Sequence, residues 1–177
     1  TTAIAAVSAV SPVDTMMFAV LYSIGDACAI LIGNLLGRGN NAKAYEYGKK
    51  TIILSVTIAS LTGLLVFLFT DQILGLYSLS SEAFGYARIL LVILCASLWI
   101  RAIAYATIIG IMRSGGDVKF CLVIDLSAIW LVGIPISLIL AHVFHFPITI
   151  VYLGFIIDEI YKVIIIIQRF RSKKWMN

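Results

Sequence analysis

Six ionisable residues, Asp14, Asp26, Arg101, Asp158, Glu159 and Lys162, stand inside long apolar runs of this sequence. Near the middle of a bilayer such a side chain costs about 2.5–3.5 kcal/mol, so it faces a partner or a water-filled cavity. A carboxyl group held in low dielectric titrates nearer neutrality, as a proton- or cation-coupled site requires. Lys162 follows Asp158 and Glu159 at i+4 and i+3, a spacing that predicts an intrahelical ion pair neutralising one acid and leaving the other free. Arg101 needs a carboxylate, and by depth the candidates are Asp26, Asp158 and Glu159. Asp14 and Asp26 lie about 18 Å and about 120° apart on one helix, so the two do not form one site unaided. Asp14 reads either as a site residue or as a group at the membrane interface, Asp26 either as a proton or cation site or as a paired carboxylate. Asp125 is expected to pair with Lys119 or to face an aqueous vestibule.

Other chemistries find less support. His142 and His145 form an HxxH that would put both rings on one helical face, but no Cys, Asp or Glu stands nearby to complete a metal shell. Cys28, Cys95 and Cys121 each sit in an apolar run without CxxC spacing and read as small buried hydrophobes. The sequence contains no GxSxG, HExxH, Walker or dinucleotide motif, so it is not read as an enzyme and no cofactor is expected. The net charge of +4 is spread among loops and the carboxyl tail rather than gathered in one patch, which argues against nucleic acid as a partner.

The elements that must position these residues are membrane helices. Hydrophobic residues make up 62% of the 177 and charged residues 12%, with a mean hydropathy of +1.06. A soluble domain has roughly half apolar and a quarter charged residues and could not hide so much Ile, Leu and Val. A hydrocarbon core about 30 Å thick needs about 20 apolar helical residues, and five segments qualify: 10–36, 51–70, 87–112, 120–142 and 147–168. Basic residues alternate between the connections: Arg38, Lys43, Lys49 and Lys50 in the first, none in the second, Arg113 and Lys119 in the third, none in the fourth, and Arg169, Arg171, Lys173 and Lys174 in the tail. The positive-inside rule then places the amino end outside and the carboxyl end in the cytoplasm, in contact with membrane lipid.

Gly25, Ala29, Gly33 and Gly37 recur every fourth residue of the first span, a stripe that admits another helix at close range. Pro12 and Pro135 are expected to kink their helices. In RSGGD, residues 113–117, Gly115 and Gly116 predict a tight turn with positive φ, Arg113 lies in water beside it, and Asp117 is expected to cap the next helix.

Four passages occur in an informative order: GDACAILIGNLLGRGNNAKA at 25–44, GIMRSGGDVKF at 110–120, LSAIWLVGIPISLIL at 126–140 and DEIYKVIIIIQRFRSKKWMN at 158–177. Together they resemble the carboxyl-terminal half of multidrug and toxic compound extrusion (MATE) transporters, over nearly the whole chain. The resemblance implies an all-α polytopic membrane bundle, residues 1–177 supplying helices eight to twelve of a twelve-helix, two-lobe antiporter whose amino-terminal lobe lies elsewhere in the protein. It also implies export of a small-molecule substrate, amphipathic and cationic, across the plasma (inner) membrane, driven by Na⁺ or H⁺ as the coupling ion. In one branch of that family an acid about three turns before the RxGGD arginine helps bind the cation. Here that neighbourhood reads Arg101-Ala102. Asp26, where the family pattern leads one to expect a neutral residue, is a candidate to compensate Arg101. Rival readings are a flippase for lipid-linked oligosaccharides, which would want a more cationic cavity, and a non-transporting membrane scaffold or fragment.

Overall fold

A computed structural model describes residues 2–176, the side chains at 148 and 155 excepted. The described residues are helical apart from short connections: α1 (Thr2–Gly37), α2 (Asn41–Leu68), α3 (Thr70–Leu74), α4 (Ser81–Tyr105), α5 (Val118–Ser127), α6 (Ile134–Leu138) and α7 (Ile148–Arg171). Three π-helical runs continue these helices without a break in the rod: Ala106–Arg113 after α4, Ala128–Gly133 between α5 and α6, and Ile139–Val143 after α6. Four rods are long and apolar enough to cross a bilayer, Thr2–Gly37, Asn41–Leu68, Ser81–Arg113 and Val118–Val143. The fifth expected span corresponds to α7, 24 residues or about 36 Å long. Any stretch of it long enough to cross contains Asp158, Glu159 and Lys162.

The helices overrun the apolar segments that announce them. α2 starts at Asn41, capped by the Asn40 side chain accepting from the Lys43 amide at 3.3 Å, so most of the basic segment 37–50 is helix and not loop. The charges mark where the chain leaves lipid, whereas helix continues wherever the backbone can bond itself. α4 likewise begins before residue 87, where the Ser80 hydroxyl caps the Ala83 amide at 3.3 Å, and α3 occupies part of the expected connection at 71–82. Pro12 lies within the continuous α1, and Pro135 lies inside the continuous rod 118–143, just after the π-helical run that ends at Gly133.

Two apolar clusters hold the bundle. One joins Val10, Met17 and Leu21 of α1 to Leu90, Leu94 and Leu98 of α4. The other gathers Ile32, Ile108, Ile111, Cys121, Ile166 and Trp175 around the opposite end. Large side chains also cover the outside: Ile53, Leu61 and Leu64 on α2, and Leu122, Leu126 and Trp130 along 118–143, are exposed. In water this surface would aggregate; in lipid it is the expected solvent contact.

Candidate functional site

Arg101, on α4 between the two clusters, finds its carboxylate on α1. Its guanidinium donates to both oxygens of Asp14, at 2.6 and 3.2 Å, and lies 4.1 Å from the centre of the Phe18 ring. Each side chain of the pair is about a fifth exposed. This corrects two expectations. Asp14 is a paired residue and not merely an interfacial one, and the partner of Arg101 is none of Asp26, Asp158 and Glu159. Asp26 is exposed and has no ion pair among the described residues, so it does not compensate Arg101.

On α7 the predicted triad forms. Lys162 Nζ donates to Glu159 at 2.8 Å and stands 3.6 Å from Asp158. Asp158 and Lys162 are both buried. The π-helical run ending at Gly133 packs here; a methyl added at Gly133 would meet the Asp158 carboxyl carbon at 3.6 Å. A π-turn offsets the side chains around the rod and is common at functional sites.

Arg101, Glu159 and Lys162 meet at a cavity of about 140 Å³, lined also by Phe18, Tyr105 and Asp125, with Asp158 buried behind Lys162 and outside the lining. A second cavity of about 190 Å³ is lined by Ser11, Asp14, Thr15, Leu94 and Tyr152 among others. The Asp14–Arg101 pair thus stands in the wall between the two. Asp125 pairs with Arg113 at 3.2 Å, not with Lys119, while the Arg113 side chain stays exposed, as expected. Asp14, Asp158 and Glu159 against Arg101 and Lys162 leave one negative charge over. Such a set can hold one proton or one monovalent cation without a further counter-charge.

α1 approaches the Ala106–Arg113 run closely at Gly25, whose carbonyl oxygen would lie 3.0 Å from a methyl built on Gly110. Gly33 of the stripe has only a distant neighbour and Gly37 has none within 4 Å. The motif therefore works at its amino end, with a partner, Gly110, that pattern reading missed.

The turn at 113–117 has a second role. Gly116 takes φ 91, as the turn requires, but Gly115 is small because Trp175 lies on it. Asp117 occupies the position before α5 without capping it; its carboxylate accepts from Arg169 at 2.7 and 3.1 Å instead. His142 closes a π-helical run and His145 lies beyond it with φ 52, so the two rings do not share a helical face as the HxxH spacing suggests. Among the described residues no group of three or more His, Cys, Asp or Glu gathers to hold a metal ion.

Comparison with known proteins places this geometry. The chain is 28% identical over 163 residues to the uncharacterized transporter YisQ of Bacillus subtilis, covering 91% of the chain and 36% of YisQ. It is 33% identical over 144 residues to the probable multidrug resistance protein NorM of Bacillus anthracis, covering 80% and 31% respectively. The chain thus spans about a third of the length of the curated relatives it matches. In three dimensions it resembles the MATE transporter ClbM in complex with Rb⁺, with a TM-score of 0.88, 18% identity, and coverage of 98% of this chain and 41% of ClbM. The MatE family model matches residues 1–139, and with an all-helical membrane bundle around a charged cavity, the chain belongs to the MatE family.

Proposed function

We propose that this chain is the carboxyl-terminal lobe, about helices eight to twelve, of a twelve-helix antiporter that exports amphipathic, cationic compounds across the plasma membrane by alternating access. Inward Na⁺ or H⁺ drives it. The carboxyl terminus is cytoplasmic, and an amino-terminal lobe of the same protein faces the charged cavity. The observation that carries this reading is the Glu159–Lys162 pair of α7 lining a cavity with Arg101, with Asp158 buried beside it. Lys162 sits closer to Glu159 than to Asp158, so Asp158 is the less neutralised acid of the triad and takes the coupling proton or cation. Its neutralisation releases Lys162 to Glu159 and changes the packing of α7 on the Gly133 turn. Tyr105 offers an aromatic surface to the cation and apolar body of a substrate, whereas Phe18 already carries the Arg101 guanidinium. Exposed Asp26 supports a wet crevice along α1, because a carboxylate facing lipid would cost about 2.5–3.5 kcal/mol.

The names of the NorM relatives and the Rb⁺ held by ClbM support drug export coupled to a monovalent cation. The flippase reading loses ground, since both cavity cations are already held by acids and neither is left for a pyrophosphate. Efflux of a cationic dye from cells expressing the whole protein tests the proposal. Asp158→Asn is expected to abolish ion-dependent efflux, and Glu159→Gln to weaken it. Unchanged efflux with unchanged ion dependence in both variants would falsify the assignment.

A further inference from the structure

The basic end of the bundle carries charge that the transport reading leaves unused. Lys50 is taken by Glu46 at 2.7 Å, Arg113 by Asp125 and Arg169 by Asp117. Lys49 and Lys173 have no acidic partner among the described residues, yet both ammonium groups sit on one ring: their Nζ atoms lie 4.6 and 5.0 Å from the centre of Tyr45. They are therefore at most about 10 Å apart, a span that a small rotation of either side chain brings within reach of one phosphodiester. Like charges held this close repel each other, and Glu46, bonded to Lys50, offsets this only in part, so the arrangement is stabilised when an anion arrives.

The framework fixes the pair. Tyr45 stacks on Phe170 at 4.9 Å and Phe170 on the buried Trp175 at 5.7 Å. Lys173 takes φ 59, a left-handed conformation uncommon for a non-glycine residue, and its ammonium lies over the ring. Glu46, the sole acid of α2, is bonded to Lys50 and reaches Lys49 only through space, so the Lys49 ammonium keeps its donors for a ligand.

The position selects the ligand. Tyr45, Lys49 and Ile53 follow at i, i+4 and i+8 on one face of α2. Ile53 is 67% exposed and opens the apolar outer surface of that helix. A lipid phosphate at Lys49 would have its acyl chains against Ile53, about 6 Å further along the axis. We propose that Lys49 and Lys173, braced on Tyr45, form a binding site for the phosphodiester headgroup of an anionic phospholipid.

Native mass spectrometry of the detergent-purified protein tests it, with phosphatidylglycerol, phosphatidylcholine and glycerol phosphate as probes. One phosphatidylglycerol is expected to bind, and Lys49→Gln with Lys173→Gln to weaken it roughly 30-fold, the factor two surface lysines give toward anionic lipid. Arginine at both positions should restore binding. The control pair Arg38→Gln with Lys119→Gln removes the same charge from the same end and should change affinity less than threefold. An equal loss in the control pair, equal retention of phosphatidylcholine, or displacement of the lipid by equimolar glycerol phosphate each overturns the proposal. The last outcome would assign the lysines to a soluble anion.

Discussion

Arg101 shows how a single side chain can organise a membrane interior. Its planar fork meets both oxygens of Asp14 and its face lies over Phe18, two interactions that a lysine ammonium does not reproduce together. Removing the guanidinium leaves a largely buried carboxylate, so Arg101→Ala is expected to destabilise the protein by about 2–3 kcal/mol. That is below the roughly 3–5 kcal/mol of a fully buried pair, because a fifth of each side chain is open to solvent. Adding Asp14→Asn should restore about half of the loss, since the orphaned charge is gone. The midpoint of thermal unfolding in detergent reads both. A double variant no more stable than Arg101→Ala would show that Asp14 is not the group stranded. The need of Arg101 for an acid was legible in the sequence from hydropathy alone. Which acid answers was not, because depth counted along separate segments ignores that α1 starts at Thr2 and brings Asp14 further into the bundle than its apolar run suggests.

At the scale of elements, contact between α1 and the rod Ser81–Arg113 depends on missing side chains at one level. A methyl at Gly110 would lie 3.0 Å from the Gly25 carbonyl oxygen and 3.3 Å from Cys28 Cβ, and backbone cannot step aside. Gly110→Leu is therefore expected to force the helices apart, costing about 3 kcal/mol as overpacking does and disturbing the nearby cavity. Gly37→Ala, with nothing within 4 Å, should leave the unfolding midpoint within about 1 °C or raise it. A reversed order of the two variants would dismiss the close approach. The helices themselves were legible because bilayer thickness imposes a length that composition reveals. Their ends were less so. Charge in 37–50 signals water, and α2 begins within that segment at Asn41. The π-helical runs left no pattern to read: the i+3 and i+4 rule assumes 3.6 residues per turn, and an inserted residue shifts every later face. The spacing of Asp158, Glu159 and Lys162 stayed readable because α7 is regular throughout.

Across the whole molecule, the tail ties together the three segments at the basic end. Arg169 grips Asp117 of the 113–117 turn, Met176 bridges to Gly116, and Trp175 lies fully buried on Gly115 with its indole N–H donating to the Phe170 carbonyl at 3.2 Å. Phe170 in turn stacks on Tyr45 of α2. A small apolar anchor with one charge-assisted clasp should open locally before the bundle unfolds. Asp117→Asn is expected to weaken the clasp and let Trp175 reach water. The measurement needs a background in which Trp99 and Trp130, both exposed, and any tryptophan outside residues 1–177 are replaced by phenylalanine, so that Trp175 is the emitter. There, Asp117→Asn should shift the emission to the red and raise acrylamide quenching severalfold, with the global midpoint lowered by only a few degrees. Gly115→Leu, which fills the space the indole occupies, should produce the same shift more completely. If Trp175 stays blue-shifted and unquenched in both variants, the indole is held by the Phe170 stack without the turn, and the basic end of the bundle has no clasp that can open on its own.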